Sequence, residues 1–275
     1  MKLKSLQTLS ISLAVLSGAF LISNSVIAAS TGTPEQLNKT ASSSAVFYEN
    51  VPILMYHYIE APTAKTIMPA LYLDPKIFAS QLQELRRYHT NPVYVSEVAA
   101  SLREKKPLPQ YSMALTFDDG YQDFYTNAFP LLKKYQMKAT IYIIINKLDK
   151  KDYLTTPELK EIAASGLVQI GSHTFNHPDL RTLKDKDAKF EIANSKINLE
   201  RLLNQSVPTF AYPFGDYLPK LLPVVQAIGY TGAVSVNPGG VQSSDNLWLM
   251  KRVRANNRAG QDFAKWLFGW FKAKY

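Results

Sequence analysis

The predicted strand at residues 139–145 most constrains the fold, because its residues 141–145 are apolar without alternating with polar side chains. Strands with this pattern are buried on both faces, as in parallel sheets covered by helices. Strand-length apolar runs recur at residues 51–56, 113–117, 168–171, 209–212 and 231–236. The pattern therefore predicts an α/β fold built on a parallel sheet.

Amphipathic stretches between these runs predict helices at residues 74–88, 128–135, 156–165, 187–203 and 218–228. Asp74 and Thr156 each precede a proline and are expected to cap their helices, and Gly166 and Gly229 lie at expected helix ends. In such folds the active site forms where the carboxyl ends of the strands converge. Polar clusters directly after a strand are therefore the functional candidates.

The first 28 residues are predicted to be a secretory signal peptide. Two lysines precede an apolar stretch at residues 6–22, and small side chains precede a cleavage point after Ala28. An uncleaved N-terminal anchor is the alternative, and either one predicts export to the periplasm, cell surface or medium. Residues 29–50 are interpreted as a flexible leader rich in Ser, Thr and small residues, so residues 51–275 are expected to form the domain.

The composition restricts the metal chemistry and the partners. The 275 residues include no cysteine, so a metal ion must be bound through nitrogen and oxygen atoms. The formal net charge of +9 could favour acidic polymers or anionic surfaces. No helix or stripe concentrates that charge as a nucleic-acid footprint requires, so no nucleic-acid partner is expected.

Two adjacent aspartates, Asp118 and Asp119, follow the predicted strand at residues 113–117 and precede Gly120. Repulsion between the carboxylates would raise one pKa, whereas a bound cation would keep the other carboxylate ionised. The pair can therefore divide into a metal ligand and a general base. A capping aspartate beside a turn aspartate is the alternative.

Two of the four histidines, His173 and His177, follow the strand at residues 168–171 and can present nitrogens to one ion. With Asp119 they form a two-histidine, one-carboxylate set. Such a set leaves coordination positions open for water and substrate, as a catalytic zinc site requires. A structural histidine is the alternative for either residue taken alone.

A third cluster, Tyr212, Pro213, Phe214 and Gly215, follows the strand at residues 209–212. It could form a rigid loop with exposed N–H groups and aromatic faces suited to a sugar ring, or an ordinary proline turn. His57, at the end of the first strand, is either a catalytic acid or a buried structural histidine.

The ordered motifs TFDDG, HTFNH and AYPFG resemble the signature motifs of the polysaccharide deacetylases, carbohydrate esterases related to chitin oligosaccharide deacetylase. The resemblance covers about residues 51–253. It implies a distorted (β/α) barrel in a single domain, a divalent metal that is usually Zn²⁺, and hydrolysis of the acetamide on N-acetylated sugars. It also implies that Asp118 is the base, that Asp119, His173 and His177 are the ligands, and that the backbone N–H of Phe214 belongs to the oxyanion site.

Two features depart from the family pattern. Ala211 replaces an arginine that orients the catalytic aspartate, and no histidine follows His177 to act as general acid. The segment MYHYI resembles a circularly rearranged subgroup that deacetylates poly-β-1,6-N-acetylglucosamine of biofilms, in which an early histidine supplies the acid. The resemblance thus implies that His57 protonates the leaving amine. AYPFG without arginine also resembles that subgroup, although slower chemistry would be one consequence of Ala211.

The sequence therefore predicts an exported, metal-dependent enzyme that releases acetate from an N-acetylglucosamine polymer, first of all poly-β-1,6-N-acetylglucosamine. Peptidoglycan or chitin oligomers are the alternative substrates, and a catalytically inert sugar-binding module is the alternative of another class. The resembling biofilm enzymes often carry an additional C-terminal domain, so the chain is expected to act alone or with a separate export or hydrolase partner.

The last apolar residues fall on one face of a predicted helix, namely Phe263, Trp266, Leu267, Trp270 and Phe271. Docking on the barrel is one interpretation of this face. A peripheral contact with a membrane or a partner, aided by nearby lysines, is the other.

Overall fold

The computed structural model describes residues 45–272, which form a nearly closed barrel of parallel strands with helices outside it. This confirms the predicted (β/α) barrel. Each neighbouring pair of barrel strands is parallel. The strands in spatial order are β10 (Met250–Arg252), β8 (Gly232–Pro238), β7 (Thr209–Ala211), β6 (Val168–Ser172), β5 (Ala139–Ile143), β4 (Ser112–Phe117) and β2 (Ile53–Tyr56).

The barrel closes between the end of β10 and β2. The N–H of Met55 donates to the carbonyl of Val253 at 2.9 Å, and the N–H of Val253 donates to the carbonyl of Ile53 at 2.8 Å. This closure brings the carboxyl end of β10 close to those of β2 and β4. Because the strands are parallel, their carboxyl ends lie on one face of the barrel.

Seven helices lie outside the barrel in the described part of the chain: α1 (Pro75–Arg87), α2 (Val95–Glu104), α3 (Phe129–Tyr135), α4 (Thr156–Ala164), α5 (Asp185–Leu203), α6 (Leu222–Ala227) and α7 (Gly260–Phe271). Asp74 caps α1 as predicted, by accepting a hydrogen bond from the backbone two residues on at 2.7 Å. The predicted cap Thr156 is wrong by one residue. Thr155 caps α4, because it forms a capping box with Glu158.

Four short strands and the ten-residue helix α2 were not predicted; the strands are β1 (Tyr48–Asn50), β3 (Asn91–Pro92), β9 (Val241–Ser243) and β10. β1 pairs antiparallel with β9. The fold therefore begins before Val51, and the predicted leader at residues 29–50 extends too far. A three-residue strand whose partner lies at the other end of the chain leaves no local periodicity to detect. The predicted signal peptide, residues 1–28, lies outside the described residues.

The C-terminal helix α7 docks on the barrel and packs against α1. Phe263 and Leu267 are 0% and 1% exposed, which confirms the docking interpretation. The apolar face that could have contacted a membrane is therefore largely buried against the rest of the domain. A membrane contact stays a prediction, but this face does not support it. Within residues 45–272, none of the helices is both long enough and apolar enough to cross a bilayer.

Candidate active site

The predicted functional side chains gather at the carboxyl face of the barrel. His57 follows β2, Asp118 and Asp119 follow β4, and the two other histidines follow β6. All five line one cleft of about 430 Å³, together with Met68, Leu71, Tyr121, Tyr212, Phe214, Gly215, Val236 and Arg254. Of the predicted substrate-binding residues, Pro213 is buried below the cleft and does not line it.

Three side chains in the cleft form a ligand set for one metal ion. Oδ1 of Asp119 lies 3.4 Å from Nε2 of His173 and 3.4 Å from Nε2 of His177. The three candidate ligand atoms lie within 4.8 Å of one another. Nitrogen and carboxylate donors at this spacing suit Zn²⁺ and other divalent transition metals.

The hydrogen bonding around the ligand set fits a cation. Oδ1 of Asp119 is buried and has no hydrogen-bond partner among the described residues. A buried carboxylate oxygen without a partner is costly unless a cation binds it. Nδ1 of His173 lies 2.8 Å from the carbonyl of Ala211, so it donates there and leaves Nε2 free to bind metal. The residues present therefore fit a divalent metal.

The backbone at the site adopts conformations that side chains disfavour. Asp119, Thr174, His177 and Phe214 have φ values of +75°, +67°, +64° and +58°. Non-glycine residues in the left-handed region cost free energy and cluster at functional sites. The strained turns aim the carboxylate of Asp119 and the ring of His177 at the same point.

A glutamate on α5 holds the loop between the two histidines. Glu191 is 7% exposed and accepts hydrogen bonds from the N–H groups of Phe175 and Asn176 at 3.0 and 2.7 Å. Its other oxygen accepts from the amide side chain of Asn176 at 2.7 Å. These contacts fix the loop that carries His177. Glu191 therefore positions this candidate metal ligand without contacting the metal itself.

Asp118 is held by an arginine that the sequence did not reveal. Nη1 and Nη2 of Arg252, at the end of β10, donate to Oδ1 and Oδ2 of Asp118 at 2.7 and 2.8 Å. The Arg252 side chain is 0% exposed, and its Nε donates to the carbonyl of Ser235 at 2.8 Å. The arginine missing at Ala211 is thus replaced by one from another strand, which resolves the first departure from the family pattern.

The charges around Asp118 keep it ionised. Burial alone would raise the pKa of Asp118, but the positive charge of Arg252 and its hydrogen bonds hold it well below its ordinary value. Nε2 of His57 lies 3.8 Å from Oδ2 of Asp118. Burial lowers the pKa of His57, although the negative charges of Asp118 and Asp119 oppose that effect. The cleft thus pairs an ionised carboxylate with a neutral imidazole at neutral pH.

His177 is also neutral near pH 7. Burial, followed by the positive charge of His173, lowers the pKa of His177 to about 4. Neutral imidazole is the form that binds metal. The ring of His177 contacts the ring of Phe214, with centroids 4.6 Å apart, and Phe214 is 59% exposed at the rim of the cleft.

Three residues at the site were not predicted from the sequence, namely Arg252, Arg254 and Tyr121. Arg252 ends a short strand without periodicity and Arg254 lies just beyond it, and they are two among 31 basic residues. One signal was available for Arg252: Ala211 leaves the aspartate without its cation, so another arginine had to replace it. Tyr121 directly follows the TFDDG motif and stacks on Tyr58 with ring centroids 3.7 Å apart.

The family model described as polysaccharide deacetylase matches residues 105–233. The Bacillus subtilis (strain 168) protein YxkH, whose name assigns it to the polysaccharide deacetylases, is 32% identical over 206 residues, which cover 75% of this chain and 71% of YxkH. The chain belongs to the polysaccharide deacetylase family. It is therefore a carbohydrate esterase of the class that acts on N-acetyl amide groups, which confirms the predicted enzyme class.

Solved structures agree with the family. The Streptococcus pyogenes deacetylase PplD in complex with acetate has a TM-score of 0.73 and 31% identity, over 79% of this chain and 97% of PplD. Among named relatives, the poly-beta-1,6-N-acetyl-D-glucosamine N-deacetylase of Staphylococcus aureus (strain MRSA252) is 26% identical over 201 residues, which cover 68% of this chain and 69% of that protein. The relatives of this chain therefore include proteins named as poly-beta-1,6-N-acetyl-D-glucosamine N-deacetylases.

Proposed function

We propose that this deacetylase works outside the cytoplasm and hydrolyses the N-acetyl groups of an N-acetylglucosamine polymer, first of all poly-β-1,6-N-acetylglucosamine, with Zn²⁺ in the site. One observation carries the proposal: the ligand set of Asp119, His173 and His177 lies in the same cleft as Asp118 clamped by Arg252. A metal ligand set beside a fixed carboxylate is the arrangement that hydrolysis of an amide requires.

Asp119, His173 and His177 would hold the metal, which when bound supplies a Lewis acid that polarises the acetyl carbonyl and lowers the pKa of water. Asp118 takes the proton of the attacking water as its oxygen bonds to the carbonyl carbon. The clamp by Arg252 keeps Asp118 in one orientation for this transfer. A fixed base needs no reorganisation when the proton moves.

His57 completes the proton transfer to the leaving nitrogen. It is neutral at rest, so it donates only after it has received a proton, and Asp118 lies 3.8 Å away as the donor. His57 passes this proton to the amide nitrogen as the carbon–nitrogen bond breaks. The products are acetate and the amine, the second proton of the water passes to the amine or to solvent, and Asp118 and His57 return to their starting states.

Phe214 contributes through its backbone and its ring. Its left-handed conformation, with φ +58°, turns the peptide at the rim of the cleft. We infer that its N–H stabilises the oxyanion that forms on the acetyl carbonyl. The exposed ring offers an apolar face to the sugar, with Tyr212 and Gly215 beside it in the wall.

The biofilm polymer is the proposed substrate because the relatives named for it span two thirds of both chains. His57 at the end of β2 also agrees with the rearranged subgroup. Cleavage of peptidoglycan or chitin oligomers is the rival, since the groove shape beyond the cleft decides the linkage. A separate export or hydrolase partner remains part of the proposal.

The test is acetate release from β-1,6-linked and β-1,4-linked N-acetylglucosamine oligomers by zinc-loaded and chelated protein. We expect chelator-sensitive release with preference for the β-1,6 linkage, and its loss in Asp118→Asn. Asp187→Asn, which changes an exposed carboxylate on α5, is the matched control. Preference for the β-1,4 linkage would favour the rival substrates. Absence of acetate release by protein with bound zinc would favour the alternative, a catalytically inert sugar-binding module.

A further inference from the structure

The cleft contains a second arginine, which is not used by the chemistry described above. Arg254 follows Arg252 by two residues, just beyond the end of β10. Its side chain lines the catalytic cleft beside His57 and also lines the adjoining groove that contains Asn256. Arg254 is therefore placed next to the residue that faces the leaving nitrogen.

Arg254 has no partner among the residues that the structure describes. Among residues 45–272 it makes no hydrogen bond through its side chain and no ion pair within 4.0 Å. Asp118, whose negative charge acts on Arg254, already has both oxygens bound by Arg252. Arg254 is also the only lysine or arginine among the described residues that line this cleft.

Arg254 is exposed in the wall of the cleft, and its surroundings lower its pKa. Partial burial, followed by the positive charge of Arg252, lowers the pKa of Arg254. The guanidinium group stays protonated in proteins, and Arg254 is exposed at the cleft, so its charge is available to an acceptor on the substrate. The carboxylates of Asp118 and Asp119 are balanced by the two guanidinium groups, so a bound divalent cation leaves the cleft with an excess of positive charge.

We propose that Arg254 is a specificity-determining residue that binds an oxyanion on the glycan, a carboxylate or a phosphate, close to the sugar that is deacetylated. A guanidinium fork matches the two oxygens of either group, and such charge-assisted pairs are stronger than hydrogen bonds to hydroxyls. Neutral polymer is still turned over, and an oxyanion near the reacting sugar adds binding. This inference rests on the proposed deacetylase function and names a substrate class within it.

The test compares kcat/KM for acetate release from three oligomers of equal length. One is neutral N-acetylglucosamine oligomer, one carries a carboxyl-bearing ether on the sugar next to the reacting one, and one carries a phosphate ester there. In zinc-loaded wild-type enzyme we expect at least one anionic oligomer to exceed the neutral one by about ten-fold, mainly through a lower KM. Comparison of kcat/KM between the two anionic oligomers shows whether Arg254 prefers a carboxylate or a phosphate.

The ratio of anionic to neutral kcat/KM is the decisive quantity, because it cancels any general loss of activity. Arg254→Met should bring the ratio to about one. Arg201→Met, which removes a charge from the exposed face of α5, should keep the wild-type ratio. Bound zinc per chain checks that each variant has folded, and Arg254→Gln serves if Arg254→Met does not.

A wild-type ratio near one for both anions, or a ratio that Arg254→Met and Arg254→Gln leave unchanged, would overturn the inference. Neither outcome touches the deacetylase proposal, which the neutral oligomer tests by itself. Absence of acetate release from all three oligomers by zinc-loaded wild-type enzyme would instead refute the proposed function.

Discussion

Replacing Arg252 by methionine should expose how far the fold depends on the charge pair at its active site. The substitution keeps the length and apolar stem of the side chain but removes the guanidinium group from Asp118. Both side chains are almost wholly buried, at 0% and 3% exposure. The carboxylate of Asp118 would therefore be left in the barrel without its cation.

The expected cost follows from that burial. Removing one partner of a buried ion pair costs about 3–5 kcal/mol of unfolding free energy, because the remaining charge is uncompensated. In a domain of this size that corresponds to a fall in Tm of about 10 °C. Urea unfolding of chelated Arg252→Met measures the cost without a contribution from bound metal. Acetate release should be lost as well, since Asp118 is no longer held.

The double variant Asp118→Asn with Arg252→Met distinguishes this explanation from a simple packing defect. Removal of the charge at Asp118 should recover about 2 kcal/mol relative to Arg252→Met alone, because the buried anion is gone. Arg201→Met on the exposed face of α5 should change stability by less than about 0.5 kcal/mol. Equal unfolding free energies for Arg252→Met and wild type, or a double variant less stable than Arg252→Met, would refute the reasoning.

Three further outcomes are expected. Glu191→Gln should weaken zinc binding by about 10–100-fold in calorimetric titration, since the loop that it holds carries a ligand; unchanged affinity would contradict this role. Burial raises the pKa of Asp123 to about 6 from 3.8, so the folded protein binds that proton more tightly and stability should fall as pH rises from about 4 to 6, by about 2–3 kcal/mol. Asp123→Asn, which keeps an acceptor for the N–H of Ile59, should lack this fall in urea unfolding at pH 4 and pH 7, and parallel pH profiles would contradict it. Gly215→Ala should destabilise the protein by more than about 1 kcal/mol in thermal unfolding, because φ is +75° and the added Cβ would meet Cγ1 of Val236 at 2.6 Å; a wild-type Tm would contradict it.

Much of the barrel could be predicted because its signals are local. The apolar run at residues 141–145 indicated burial on both faces, and β5 (Ala139–Ile143) lies in the middle of the sheet. Asp74 predicted the start of α1, because it is a favourable N-cap residue and is followed by a proline. The candidate ligands could also be predicted, since Asp119 and His177 follow strands whose carboxyl ends must converge.

The elements that were missed depend on contacts distant in sequence. β10 has three residues, and its position is set by β8 on one side and by the closing bonds to β2 on the other. Neither neighbour is visible in the local sequence. The local sequence around Arg252 therefore does not indicate that this side chain is buried, although it is 1% exposed in the barrel.

Ala211 shows why a family motif can lose a residue without losing the site. Its backbone carbonyl accepts the hydrogen bond from Nδ1 of His173, and any residue at this position can provide that carbonyl. In the family pattern the arginine at this position orients the catalytic aspartate. That function requires only that a guanidinium group contact Asp118. In a closed barrel every strand ends on the same face, so β10 can supply it from across the opening. Position 211 thus retains its backbone role while Arg252 takes over its side-chain role, and the chemistry depends on where side chains meet rather than on their order in the chain.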